Sequence, residues 1–113
     1  MSQRTKSASK GILASVIVPA YKEGANVKAM VERVFAAIDK SGEFDRKNTE
    51  MIFVDDNSRD GTEDEVKKLA AAGYPVSIIV RTTERGLSSA VIRGFNEAKG
   101  SLLLCMDADL QVF

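Results

Sequence analysis

The chain has 113 residues with 16 basic and 16 acidic side chains, and its formal net charge of zero argues against a nucleic acid as partner. The single cysteine, Cys105, excludes an internal disulfide bond and a zinc site built from several cysteines. No run approaches the ~18 apolar residues of a membrane span, and the first residues lack an apolar signal core, so we expect a soluble chain.

The first residues differ in composition from the rest of the chain. Residues 1–11, MSQRTKSASKG, are polar and basic and show no hydrophobic periodicity. They offer too little apolar surface to offset the entropy of ordering. We therefore predict a disordered basic leader over residues 1–11 and one folded domain over residues 12–113.

The domain begins with a strand followed by a helix. The run Ala14–Tyr21 is β-branched and apolar, as expected for a strand that is covered on both faces, and Pro19 is expected to end it because proline cannot donate to a ladder. Asn26 is the expected N-cap of the helix, which Gly42 ends. The predicted apolar stripe of this helix consists of Val27, Met30, Val31, Val34, Phe35 and Ile38.

A second strand and helix follow. The run Glu50–Asp56 predicts the strand, and the helix is expected to continue to about Ala72. The residues Asp60, Gly61 and Thr62 offer turn and cap chemistry at the start of that helix rather than ligands.

The third strand, the third helix and the fourth strand complete the chain. The two strands are predicted over Val76–Arg81 and Ser101–Met106. The helix between them is expected to end at Gly100. Its predicted apolar face consists of Leu87, Ala90, Val91, Phe95 and Ala98.

Strands that alternate with helices indicate an α/β fold. Short connections and crossover helices predict a parallel βαβαβαβ sheet of the Rossmann-like kind, with helices on both faces in a three-layer α/β/α arrangement. Ligands of such sheets bind at the carboxyl ends of the strands.

Charged and polar side chains gather where the predicted strands end. Since these ends share one edge of the sheet, the side chains are expected to lie close together. They are Pro19, Tyr21 and Glu23 at the end of the first strand, Asp55, Asp56 and Asn57 at the end of the second, Arg81 at the end of the third with Arg85 and Gly86 in the loop after it, and Asp107, Asp109 and Gln111 at the end of the fourth.

The last of these groups has the spacing of a cation site. In an extended segment Asp107, Asp109 and Gln111 place their side chains on one face, because the period of a strand is two. Three oxygen ligands suit a hard cation such as Mg²⁺ or Mn²⁺, which would take phosphate oxygens at its remaining positions. The alternative is that the two aspartates only cap a loop.

Four motifs in order carry a family resemblance: VIVPAYKE, FVDDNSRDGT, RGLSSAVIRGF and MDADLQ. Together they resemble the inverting glycosyltransferases of family 2, which have the nucleotide-diphospho-sugar-binding GT-A fold. Within that family they are most similar to the dolichyl-phosphate mannosyltransferases. The resemblance covers the chain from Ser15 to Gln111.

The resemblance implies roles for individual residues. Asp109 is implied as the catalytic residue of the metal group, and Asp107 as a donor contact as well as a metal ligand. The metal ligands implied are Asp107, Asp109 and Gln111. The remaining donor-nucleotide contacts implied are Pro19, Tyr21, Glu23, Asp55, Asp56, Arg85, Gly86 and Leu87, with Asp55 less exposed than Asp56. An alternative for Tyr21 is that its ring packs over the first helix.

The resemblance also implies substrates and a place of action. The donor would be GDP-mannose, the lipid acceptor dolichyl phosphate, and the cofactor Mg²⁺ or Mn²⁺. The intact enzyme would touch the cytoplasmic face of the endoplasmic reticulum membrane peripherally, in the pathways that supply protein glycosylation and glycolipid anchors.

The resemblance also defines what the chain lacks. It ends at Phe113, where these enzymes continue with further strands and acceptor-side residues. We therefore expect the N-terminal, donor-binding half of such an enzyme, with little or no activity alone. Its uncovered strand edge and apolar surface predict self-association.

Three alternatives remain open at this stage. One is a non-catalytic nucleotide-binding or interaction module, and another is a related transferase that uses UDP-glucose. The third is a phosphoacceptor receiver domain, which is disfavoured because Arg81 stands where that class needs an aspartate after the third strand.

Overall fold

The structure is a computed structural model that describes residues 11–22, 24–83 and 86–106. Strands and helices alternate along this part of the chain, as the sequence predicts. The elements are β1 (Ala14–Ala20), α1 (Gly24–Ser41), β2 (Thr49–Asp55), α2 (Thr62–Ala71), β3 (Val76–Val80), α3 (Leu87–Glu97) and β4 (Leu102–Cys105).

The described strands form one sheet in the order β3-β2-β1-β4, and every neighbouring pair is parallel. The chain steps outward from β1 to β2 and β3, and α3 then carries it back to β4 on the other side of β1. The strand order therefore reverses at β1, and in open parallel sheets the crevice at such a switch point is where ligands bind.

Helices cover both faces of the sheet, which confirms the predicted three-layer arrangement. The larger core lies on the side of α1 and α2, where the predicted stripe of α1 is buried except for Ile38, which is partly buried. The smaller core lies under α3 and contains Ile17, Ile52 and Val54 of the sheet. The continuous apolar runs Val16–Val18 of β1 and Met51–Val54 of β2 are the consequence of burial on both faces.

The prediction that Pro19 ends the first strand is wrong. β1 continues to Ala20, and Pro19 lies opposite Val54 within the ladder. Residues two apart in a strand direct their backbone N–H and C=O groups toward the same neighbouring strand. The carbonyl of Ile17 accepts a hydrogen bond from Met106 N, so the backbone groups of Ile17 point to the β4 side. Pro19 faces that same side beyond the end of β4, so its missing N–H removes no bond of the described ladder.

The prediction that Asn26 caps α1 is also wrong, because the helix begins at Gly24. The backbone N–H of Gly24 donates to Asp60 Oδ2 at 3.3 Å. One of the unpaired N–H groups at the helix start is thus satisfied by a side chain from the loop after β2, a long-range partner that no local pattern predicts.

The predicted apolar face of α3 is correct only in part. Ala90 and Ala98 are buried, but Leu87 is 55% exposed. Leu87 is the first residue of α3, and it belongs to neither of the two cores that the described residues form. Gly94, which the apolar pattern omits, lies on the buried face instead.

Helix α3 ends at Glu97, three residues before the predicted Gly100, and the remaining boundaries differ from the predicted ones by at most one residue. Residues 1–10 of the predicted leader lie outside the described residues. Among the helices of the described ranges, none combines the length and the apolar character that crossing a bilayer requires.

Candidate functional site

A pocket of about 190 Å³ opens at the carboxyl edge of the sheet, beside the switch point. Three separate segments form it: the end of β1, the residue after β2 and the start of α3. Five residues predicted to contact a donor nucleotide meet there. The lining consists of Pro19, Ala20, Tyr21, Asp56, Gly86, Leu87 and Ala90.

Asp56 supplies the acidic group of this pocket. Its backbone N–H donates to the carbonyl of Ala20 at 3.1 Å, which places it directly beyond the last ladder pair of β1 and β2. Its carboxylate forms an ion pair with Arg81, with 2.6 Å between Oδ1 and Nη2. The Asp56 side chain is 16% exposed and the Arg81 side chain 1%. The acid therefore faces the pocket while the cation lies behind it.

Gly86 brings backbone rather than a side chain to the pocket. Its φ of 109° and ψ of 150° belong to a region that is essentially restricted to glycine. In this conformation its N–H donates to Asp56 Oδ2 at 3.2 Å. The sequence predicted Gly86 as a donor contact because a glycine lets a ligand approach the backbone closely. The structure shows that the backbone conformation at this position also requires glycine.

Tyr21 and Leu87 form the apolar walls of the pocket, and both remain accessible. The Tyr21 side chain is 46% exposed. The Nζ atom of Lys22 lies 5.4 Å from the centroid of the Tyr21 ring. An accessible aromatic ring at the mouth of a polar pocket is suited to stack on a planar ligand.

Asp55 does not line this pocket, and its hydrogen bonds stabilise the loop after β2. It is 2% exposed, whereas Asp56 is intermediate, so the predicted order of exposure is confirmed. Its carboxylate accepts hydrogen bonds from the N–H and the hydroxyl of Ser58. The Ser58 Oγ in turn accepts from Lys22 N at 2.5 Å, which ties the loop after β1 to the loop after β2.

Asp60 forms a second tie between these two loops. Besides Gly24 N it accepts from the N–H of Thr62 at 3.1 Å and from the Thr62 hydroxyl at 2.5 Å. The hydrogen bond from the Thr62 side chain is the main reason that the pKa of Asp60 lies below its ordinary value, and the two N–H groups add to it. The prediction that Asp60 acts in a turn agrees with these contacts.

Three residues other than glycine adopt positive φ in the same loops. The values are 56° for Lys22, 61° for Asn57 and 56° for Arg59. Each such conformation costs on the order of 1 kcal/mol. The carboxylate ties of Asp55 and Asp60 hold the backbone in this arrangement, which is typical of loops that present a site.

The other predicted site residues lie outside the described residues. They are Glu23, Arg85, Asp107, Asp109 and Gln111. Within the described ranges, no three histidine, cysteine or acidic side chains converge in a way that could hold a metal ion. The predicted cation site therefore depends on the chemistry of Asp107, Asp109 and Gln111, whose carboxylate and amide oxygens suit Mg²⁺ or Mn²⁺.

Sequence reasoning missed the supporting roles of Arg81 and Ser58. The sequence placed Arg81 among the charged residues at the strand ends but assigned it no partner, and Ser58 appeared only within FVDDNSRDGT. A charged residue directly after an apolar strand is the available signal for Arg81, because a buried guanidinium requires an acidic partner. No local signal identifies which acid that partner is, since Asp56 lies 25 residues earlier.

The sequence matches known proteins along most of its length. The profile of the family described as Glycosyl transferase family 2 matches residues 15–113. The dolichol-phosphate mannosyltransferase of Saccharomyces cerevisiae is 63% identical over 97 residues, which cover 86% of this chain and 35% of the yeast protein. The enzyme of the same name from Pyrococcus furiosus is 47% identical over 97 residues, covering 86% of this chain and 26% of that protein. The chain thus spans about a third or less of these relatives.

A solved structure shares the fold. The mannosyltransferase from Pyrobaculum calidifontis, whose structure is a complex with GDP-Man and Mn²⁺, superposes with a TM-score of 0.68 at 26% sequence identity. The match covers 85% of this chain and 27% of that protein. The predicted GT-A fold class is confirmed by this likeness and by the parallel sheet. With its profile matched over residues 15–113, the chain belongs to glycosyltransferase family 2.

Proposed function

We propose that this chain is the donor-binding part of an enzyme that transfers mannose from GDP-mannose to dolichyl phosphate. The observation that carries the proposal is the pocket at the switch point, where Tyr21, Asp56 and Gly86 meet from three separate segments. The names of the yeast and Pyrococcus relatives support the reaction, and the GDP-Man complex of the structural neighbour supports the donor.

The pocket suggests how the donor nucleotide is held. Pro19, Tyr21 and Glu23 contact the base and ribose, with the Tyr21 ring as the stacking surface. Asp56 accepts a hydrogen bond from the nucleoside. Asp55 supports the same loop through Ser58 rather than through the ligand, in accordance with its burial.

The diphosphate is proposed to lie toward the start of α3. Gly86 and Leu87 border the pocket there, and a glycine lets phosphate oxygens approach the backbone closely. Arg85 adds a guanidinium, whose fork of donors matches a phosphate group.

The cation of the reaction, Mg²⁺ or Mn²⁺, is proposed to be held by Asp107, Asp109 and Gln111, with Asp109 as the catalytic residue of this group. When bound, it would supply positive charge that stabilises the negative charge on the departing GDP. Asp107 would also face the donor. A phosphate acceptor is ionised near neutral pH, so the reaction does not require a strong base on this chain.

The lipid acceptor determines where the enzyme acts. We propose peripheral contact with the cytoplasmic face of the endoplasmic reticulum membrane. We also propose that the isolated chain self-associates, because β4 is an edge strand of the described sheet and Leu102 and Leu104 on it are exposed. Light scattering that gives a monomer mass at high concentration contradicts the latter proposal.

A chimera tests the transferase reaction directly. The aligned 97 residues of this chain replace their counterparts in the yeast mannosyltransferase, which supplies the remaining length. Purified chimera with Mn²⁺, GDP-mannose and a dolichyl phosphate in detergent is expected to form mannosyl lipid, and the same chimera carrying Asp109→Asn is expected to lose this activity. A folded chimera that binds GDP but forms no mannosyl lipid contradicts the proposed reaction.

A further inference from the structure

Arg81 occupies an unusual position for a charged residue. It follows β3 directly, and its side chain is 1% exposed. Its backbone N–H donates to the carbonyl of Asp55 at 2.7 Å, which extends the pairing of β2 and β3 by one residue. Burial of a guanidinium is costly unless every donor is paired, so its contacts define what it does.

The three side-chain nitrogens of Arg81 are all engaged within the protein. Nε donates to Asp56 Oδ1 at 2.7 Å, and Nη2 lies 2.6 Å from the same oxygen. Nη2 also donates to the carbonyl of Gly86 at 3.0 Å, and Nη1 donates to Ser89 Oγ at 2.8 Å. Arg81 is therefore committed to protein groups, and it lies behind the pocket rather than in it.

These contacts join two walls of the pocket. Asp56 belongs to the loop after β2 and Gly86 to the start of α3, and both line the cavity. The N–H of Gly86 donates back to Asp56 Oδ2 at 3.2 Å, so the three residues form a closed hydrogen-bonded ring. Movement of either wall breaks at least one bond to the buried guanidinium.

The ring also limits what Asp56 can offer a ligand. A carboxylate has about four acceptor sites, two on each oxygen. Arg81 Nε donates to Oδ1, which Nη2 also approaches as an ion-pair partner, and Gly86 N–H takes one site of Oδ2. The second acceptor site of Oδ2 remains for a group that enters the pocket.

We propose that Arg81 is a positioning residue for the donor nucleoside: it holds Asp56 against Gly86 so that Oδ2 presents one acceptor to one N–H or O–H group of the nucleoside. This inference rests on the proposed donor site. It assigns to Arg81 no contact with the diphosphate, in contrast to Arg85. Loss of the guanidinium is therefore expected to weaken binding of the nucleoside more than binding of phosphate groups.

The test compares Arg81→Lys with the unchanged chain. Lysine keeps the charge but has one nitrogen, which cannot reach Asp56, Gly86 and Ser89 together. Titration calorimetry in Mn²⁺ uses two probes, GDP and inorganic pyrophosphate. We expect GDP to bind about tenfold more weakly to the variant, because it loses hydrogen bonds between charged groups, and pyrophosphate to lose clearly less affinity than GDP. Arg93→Lys on the exposed face of α3 is the matched control, with no change expected for either probe.

The outcomes separate the inference from the proposed function. If the unchanged chain does not bind GDP, the proposed function fails. If it binds GDP and Arg81→Lys binds GDP equally, or loses pyrophosphate to the same extent, the positioning role is wrong.

A nuclear magnetic resonance measurement on the unchanged chain covers the case in which Arg81→Lys does not fold. The Nε–H signal of Arg81 is expected to exchange slowly with solvent both without and with GDP, because the bond to Asp56 persists. A signal that exchanges rapidly before GDP is added, or becomes exposed when GDP binds, overturns the inference.

Discussion

Substitution of Gly94 by alanine tests whether the packing of α3 on the sheet is as close as described. A Cβ atom at this position would lie 2.3 Å from Ile17 Cγ2, and 3.3 Å from both Ile17 Cδ1 and Val54 Cγ2. Favourable carbon contacts occur at about 3.5–4.0 Å, so the new methyl group is more than ~1 Å too close to Ile17. Ile17 is fully buried and β-branched, so rotation of its side chain is restricted.

Two opposing effects determine the magnitude. Alanine in a helix interior is favoured over glycine by about 1 kcal/mol. Overpacking of a buried site typically costs about 1–3 kcal/mol, and an overlap of this size with a rigid partner falls at the upper end. The expected net loss is about 2 kcal/mol. At about 4 °C per kcal/mol for a domain of this size, Tm falls by about 8 °C.

The assay is thermal unfolding followed by circular dichroism, with Asn96→Ala as the control. Asn96 lies on the exposed side of the same helix, so its substitution changes helix propensity without adding a contact and should leave Tm unchanged or slightly higher. In a Gly94→Ala, Ile17→Ala double variant the steric overlap is relieved, so the combined loss should be smaller than the sum of the single losses. A Gly94→Ala variant as stable as the unchanged chain refutes the close approach of α3 to β1.

Two further predictions concern the polar ties of the fold. Ser15→Ala should lower the free energy of unfolding, measured by urea titration, by about 1–3 kcal/mol. The reason is that the buried Ser15 hydroxyl accepts a hydrogen bond from Gly100 N at 2.8 Å and donates one to Glu50 Oε2 at 2.6 Å. An unchanged urea midpoint would count against these hydrogen bonds. Asp60 has a lowered pKa in the folded chain, so its contribution to stability is present above the ordinary value of 3.8 and is lost as the pH falls through the folded pKa. The Tm advantage of the unchanged chain over Asp60→Asn should therefore be constant near neutral pH and shrink below about pH 3.8, whereas an advantage that grows in acid contradicts the assignment.

The elements of the fold were predictable because their patterns are local. Helix α1 shows its apolar stripe at spacings of three and four. The centres of β1 and β2, Val16–Val18 and Met51–Val54, are continuously apolar because both of their faces are buried. The parallel sheet follows from the alternation of strands and helices. The errors arise where a residue's role depends on its neighbours: which side of β1 Pro19 faces, and which residue pairs with Gly24 N.

The candidate site was predictable to the level of strand ends. Tyr21, Asp56 and Gly86 each follow a strand in the sequence, and the topology brings them to one pocket. The bonds between them were not predictable, since Arg81 contacts an acid 25 residues earlier only because β2 and β3 are adjacent. From the sequence, Gly94 is only a residue that weakens a predicted helix. The packed structure shows that a side chain at this position would overlap Ile17 in the core.

We propose that this chain carries a donor site for a guanosine diphosphate sugar. The most direct test is a calorimetric titration of the purified chain with GDP, repeated with UDP, in Mn²⁺ and again in excess chelator. We expect GDP to bind at one site in the presence of Mn²⁺, chelator or Asp109→Asn to weaken this binding, and UDP to bind more weakly than GDP. Absence of GDP binding in Mn²⁺, or a preference for UDP, would contradict it.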